Sequence, residues 1–125
     1  TCLDRRGQSQ ILTLDPGMRQ ILISGIPSYA AGARPSAACK LDDGLFEITV
    51  IETLRQWIVL HLTRFGPRYF SELLPGARQF QAGRCNLCFS GKIFFQADGE
   101  LYAEMAQSCR ELRIAHAGSI DLIFV

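Results

Sequence analysis

The chain has 125 residues, a formal net charge of +1, 48% hydrophobic and 20% charged residues. This is the balance of a single globular domain with one core. No apolar run approaches the ~20 residues that a membrane-spanning helix needs. The near-neutral total hides an asymmetry. Residues 41–52 carry the four acids Asp42, Asp43, Glu47 and Glu52 and no base. Residues 53–92 carry Arg55, Arg64, Arg68, Arg78, Arg84 and Lys92 against Glu72 alone. A mildly basic face of this kind suits an anionic surface, lipid headgroups or phosphate. The interleaved aromatic and basic residues that read RNA are missing, so no nucleic-acid partner is expected.

The five cysteines, Cys2, Cys39, Cys85, Cys88 and Cys109, are odd in number and irregular in spacing. That pattern fits reduced thiols better than a secreted disulfide framework. Cys85-Asn86-Leu87-Cys88 is a lone CxxC with no second ligand pair at zinc spacing, and a strand there sends the two thiols to opposite faces. The chain opens on Thr1 with no charged-then-apolar leader, which fits a trimmed piece of something larger.

In chain order, residues 1–8 read as a frayed polar start. Residues 10–14 and 19–24 read as an antiparallel pair of strands around the turn signal Asp15-Pro16-Gly17. Gly25 to Cys39, rich in alanine, serine, glycine and proline, reads as a long ordered loop that permits close backbone approach. Lys40-Leu41-Asp42-Asp43-Gly44 is a turn that launches a strand over 45–51, where Leu45, Glu47 and Thr49 alternate with Phe46, Ile48 and Val50. Thr53-Leu54-Arg55-Gln56 is a capping box. Behind it Leu54, Trp57, Ile58, His61, Leu62 and Phe65 recur at helical spacing, predicting an amphipathic helix with His61 packed on or near its apolar stripe. Gly66-Pro67 ends that helix, and Tyr69 to Leu74 suggests a second, short one.

From Ala77 onward the pattern is β again, with strands expected near 78–82, 84–90, 92–97, 101–105, 110–115 and 119–125. Phe94 to Tyr102 reads as strand, tight turn and strand, because Asp98-Gly99 is a strong hairpin signal. The fold expected is mainly β: an antiparallel β-sandwich with one or two helices inserted near residues 53–75. Two acidic turns stand out, at Asp42-Asp43-Gly44 and at Asp98-Gly99-Glu100. Each is the ordinary composition of a turn, and each also offers carboxylates for chemistry.

Lys40-Leu41-Asp42-Asp43-Gly44-Leu45-Phe46-Glu47-Ile48-Thr49-Val50-Ile51 resembles the acidic turn and strand in the middle of diacylglycerol kinase-like lipid kinases. Phe95-Gln96-Ala97-Asp98-Gly99-Glu100 resembles their Asp-Gly-Glu segment, and Leu112 to Val125 is similar to their last hairpin. The resemblance runs from about Ile21 to the end. It implies that residues 1–125 form one domain, the C-terminal, substrate-side sandwich lobe of a two-lobed kinase. The N-terminal nucleotide-binding lobe, with its Gly-Gly-Asp-Gly-Thr turn, is absent from this chain. The chain departs from the family at Ala30-Ala31-Gly32, where three glycines are usual, and at Gly25, near which an asparagine is usual.

The resemblance implies an ATP-dependent lipid kinase acting on a diacylglycerol-like hydroxyl, with Glu100 as proton acceptor and Asp98 its neighbour. Which of the two is the base stays open. It implies a structural Mg2+ held by Asp43 and the backbone carbonyls of Lys40 and Leu45, with ATP bound mainly by the absent lobe. Its partners are the lipid substrate, a membrane surface reached peripherally from the cytoplasm, and the nucleotide lobe; a homodimer is also within what it allows. The isolated chain is expected to be inactive. The alternatives are a non-catalytic lipid-binding or interaction domain on the same fold, or a lobe of a sphingoid-base, ceramide or NAD kinase relative.

Overall fold

The computed structural model describes residues 2–3, 9–11, 13, 20–29, 31–40, 43–88, 96–97, 100–101 and 111–117. Among them the strands are β1 (Cys2–Leu3), β2 (Ser9–Gln10), β3 (Gln20–Ser24), β4 (Phe46–Ile51), β5 (Gln79–Ala82), β6 (Arg84–Cys88), β7 (Gln96–Ala97), β8 (Glu100–Leu101) and β9 (Glu111–Ala115). Helix α1 (Leu54–Leu62), a 3-10 turn (Thr63–Phe65) and helix α2 (Phe70–Leu73) lie between β4 and β5. All pairings are antiparallel, in sheets ordered β2-β1-β6-β9 and β3-β4-β5, with β7 and β8 as a separate hairpin. The expected mainly β, antiparallel architecture with two helices is the one observed.

Strand β4 is the centre of the fold. All six of its residues are buried, because β3 and β5 flank it and both of its faces are covered. On one face Phe46, Ile48 and Ala82, with Ile21, Ile23 and Phe80, meet Cys85, Leu87 and Ile114 of the four-stranded sheet. This cluster is the interior of the sandwich. On the other face Leu22 and Ile51 pack with Ala33, Leu60 and Phe70, joined by Tyr29, Val59, Leu74 and Ala77. Strand alternation thus divides the β3–β5 sheet between two cores.

The capping box forms as its sequence requires. The Thr53 hydroxyl accepts from the Gln56 amide at 3.2 Å, and the Gln56 side chain accepts from the Glu52 and Thr53 amides at 2.7 and 3.2 Å. The face that α1 presents to the sheet differs from the expected one. Leu60 is fully buried, whereas Leu54, Trp57, Ile58, Leu62 and Phe65 are exposed. Trp57-Ile58-Val59-Leu60 puts an apolar residue in every direction around one turn, so periodicity alone does not choose the buried side. Phe70 and Ala33 pack over this face of the sheet, and α1 joins the same cluster with Leu60 and Val59. His61 is half-buried, its Nδ1 2.9 Å from the Trp57 carbonyl and its ring 4.2 Å from the indole.

Two further expectations need correction. The N-terminal stretch is not frayed throughout, since Cys2–Leu3 pairs with both β2 and β6. Of residues 10–14, Gln10 belongs to β2, which pairs with β1, Ile11 and Thr13 are outside any strand, and Leu12 and Leu14 lie outside the described residues; β3 pairs with β4. That pairing places Ile21 and Ile23 over the sandwich core. Residues 15–17 and 119–125 lie outside the described residues. So does most of 92–97 and 101–105, of which only Gln96, Ala97 and Leu101 are described, all in strands.

Candidate functional site

The turn before β4 is held by its own side chain. Asp43 Oδ1 accepts from the Leu45 amide at 3.0 Å, the Asx arrangement that shapes a chain reversal. Gly44 sits at φ +69°, and a side chain there meets a strained backbone and the His116 ring. The His116 amide in turn donates to the Gly83 carbonyl at 3.2 Å at the end of β9. Lys40 is exposed, and Leu41 and Asp42 lie outside the described residues.

Beside this turn is a feature that sequence alternation does not reveal. Glu47 reads as an outward position on a strand, yet it is only 4% exposed. The loop over residues 31–39 lies across it. Backbone contacts anchor that loop to the helices: the Arg34 amide donates to Thr63 Oγ1 at 2.8 Å, and the Phe70 and Ser71 amides donate to the Arg34 and Pro35 carbonyls at 2.9 and 3.2 Å. Two glutamines of β5 then tie it to the sheet. Gln79 Nε2 donates to the Pro35 carbonyl and to Thr49 Oγ1, both at 2.9 Å. Gln81 Nε2 donates to the Ala38 carbonyl at 3.0 Å and to Glu47 Oε1 at 2.6 Å. The register makes this possible, since Gln81 lies opposite Glu47 and Gln79 opposite Thr49.

The result is a polar row beneath a loop, bordered by a pocket of about 310 Å³ lined by Ser36, Ala37, Ala38, Glu47, Ser71, Gln79, Phe80 and Gln81. Burial raises the Glu47 pKa above its ordinary value; hydrogen bonds from Gln81 and Ser36 oppose this, and the charge of Asp43 adds to it. Burial also raises the Cys39 thiol, followed by the charges of Glu47 and Asp43. Cys39 is therefore held as a thiol, in keeping with its Sγ–H pointing to the Ser24 carbonyl at 3.9 Å. Two signals for this site are present in the sequence: the small residues of the loop, which allow it to lie flat, and glutamines at alternate positions 79 and 81.

Ala97 stands opposite Glu100 and Gln96 opposite Leu101, the register of the expected hairpin. Asp98 and Gly99 lie outside the described residues, and Glu100 is described as a strand position. Among the described residues no group of three or more His, Cys, Asp or Glu side chains could hold a metal ion. The cation set that the resemblance implies is of another kind: one carboxylate, Asp43, with the carbonyls of Lys40 and Leu45. All three are oxygen donors of the type that hard divalent cations take while retaining several waters. In chemistry the donor set fits Mg2+.

Fold and site together define a class: an antiparallel β-sandwich with a helical insertion over one sheet and a buried carboxyl under an ordered loop. Comparison with known proteins goes no further, since no family model, no curated protein and no solved structure matches the chain. Among the described residues no helix is long and apolar enough to cross a membrane.

Proposed function

We propose that this chain is the substrate-side lobe of an ATP-dependent lipid kinase that phosphorylates a diacylglycerol-like hydroxyl at a membrane surface. The observation that carries the reading is the acidic turn running directly into buried β4, with α1 and α2 following before β5. The acidic turn, the strand after it and the helix that follows come in the order the resemblance implies. Glu100, across the β7–β8 pairing, supplies the second acidic element.

In this mechanism the lipid hydroxyl oxygen bonds to the γ-phosphorus as the bond to the bridging oxygen breaks, and ADP leaves. The hydroxyl proton passes to the carboxylate of Glu100. Asp98, two residues earlier in the same acidic segment, is the second carboxylate that the resemblance implies. The nucleotide is held by a second lobe, and the work of this lobe is to place the hydroxyl in line. Asp43, with the Lys40 and Leu45 carbonyls, would hold a Mg2+ ion that steadies the turn. The pocket by Ser36, Glu47 and Gln81 is of a size for a polar headgroup, at the small end of ligand clefts.

The test is turnover by the two-lobed parent protein on diacylglycerol vesicles with ATP. Glu100→Gln keeps shape and hydrogen bonding but removes the base, so kcat falls about 100- to 10,000-fold. Glu104→Gln, matching no family position, leaves kcat unchanged. Near-wild-type turnover by Glu100→Gln removes Glu100 from the reaction. A parent without a Gly-Gly-Asp-Gly-Thr turn and without turnover is instead a non-catalytic lipid-binding domain.

A further inference from the structure

Among the described residues, helix α1 leaves its larger apolar face unpartnered. Leu54, Trp57, Ile58, Leu62 and Phe65 are 55, 41, 45, 56 and 74% exposed. At about 100° per residue Leu54, Trp57, Ile58 and Leu62 share one side of the helix, opposite the Leu60 and Val59 side that packs on the sheet, and Phe65 follows in the 3-10 turn. Along residues 53–71 the charge has one sign. Arg55, Arg64 and Arg68 are exposed, and no acid occurs from Thr53 through Ser71. Of the nearest acids, Glu52 is paired with Arg78 and Glu72 accepts from the Tyr69 amide at the start of α2. The Arg64 guanidinium lies over the Phe65 ring, 4.5 Å from its centroid, so cation and aromatic edge are presented together.

We propose that the exposed face of α1 docks flat on an anionic lipid surface, with Leu54, Ile58, Leu62 and Phe65 entering the headgroup boundary. Trp57 sits at the interface, and Arg55, Arg64 and Arg68 meet lipid phosphates. Large exposed apolar side chains on a short helix, flanked in sequence by cations, are the composition of interfacial helices. Arginine suits this place because its fork binds phosphate bidentately and its stem lies along apolar surface. A second copy of the chain is the poorer occupant, because a self-complementary contact brings these arginines against their own counterparts. The inference goes beyond the kinase reading and needs no catalysis, so a phosphorylation assay and a binding assay can fail separately.

Trp57 is the chain's single tryptophan, so its emission reports this face alone. The experiment titrates the 125-residue chain with vesicles of phosphatidylcholine containing phosphatidylglycerol and with vesicles of phosphatidylcholine alone, reading emission and co-sedimentation. The expected result is a blue shift and sedimentation with the anionic vesicles, both reversed by salt. Leu62→Ser and Phe65→Ser, each made separately because both positions are exposed, weaken binding by about tenfold. Arg55→Gln and Arg64→Gln weaken it about fivefold each. Equal binding to both vesicles, binding to neither, or unchanged binding by the Leu62 and Phe65 variants overturns the proposal. So does a blue shift that grows with protein concentration without lipid while the chain sediments as a dimer, which assigns the face to a second copy.

Discussion

Glu47 is a carboxyl whose surroundings prefer the protonated form, mainly because it is buried, with the charge of Asp43 adding to the effect. A raised folded-state pKa gives a stabilising contribution that is complete below the unfolded value, about 4.3, and is lost as pH rises through the folded value. Glu47→Gln removes that loss while still offering Gln81 an acceptor. The melting temperature of the variant relative to wild type should therefore climb as pH rises above about 4. A difference that stays flat shows that Glu47 titrates as it does in the unfolded chain. Asp43 offers a separate measurement. Asp43→Asn keeps an oxygen to accept from Leu45 but removes the charge that a cation needs. The wild-type melting temperature should rise with added Mg2+ by mass action, and that of the variant should not. If both respond equally, the cation binds elsewhere.

At the scale of the element, α1 distinguishes pattern from packing. Leu60 and Leu62 have the same side chain on the same helix, one fully buried and one 56% exposed. Leu60→Ala should cost about 2–5 kcal/mol by urea denaturation, through lost burial and a cavity beneath β4. Leu62→Ala should change stability by less than about 0.5 kcal/mol. Equal costs would mean that α1 is rotated from the orientation described. The capping box was readable from four residues because it is made entirely within them. The buried side of the helix was not, because it depends on Phe70 and Ala33, which arrive from other segments.

For the whole molecule, the sandwich buries two clusters on opposite faces of one sheet, and the loop over residues 31–39 closes the second. No part of this arrangement requires a nucleotide. The chain by itself should give no heat on titration with ATP and no phosphorylation of diacylglycerol vesicles. Measurable turnover by the isolated chain would place a nucleotide site within these residues and displace the two-lobe reading.

The sequence by itself determined the local features: the β4 alternation, the Thr53 capping box, the Asp43-Gly44 turn and the β7–β8 hairpin register. Each is settled by residues a few positions apart, through side-chain periodicity, backbone sterics or a hydrogen bond to a near neighbour. Only the tertiary structure decided the rest. Cys2–Leu3 joins a sheet because β6 offers an edge, and Glu47 is buried because a loop and two glutamines from distant positions close over it. The apolar stripe of α1 faces outward because Leu60 and Val59, not the stripe, pack with Phe70 and Ala33 from other segments. Burial depends on what else occupies the same space, and that is fixed by contacts between segments far apart in the chain.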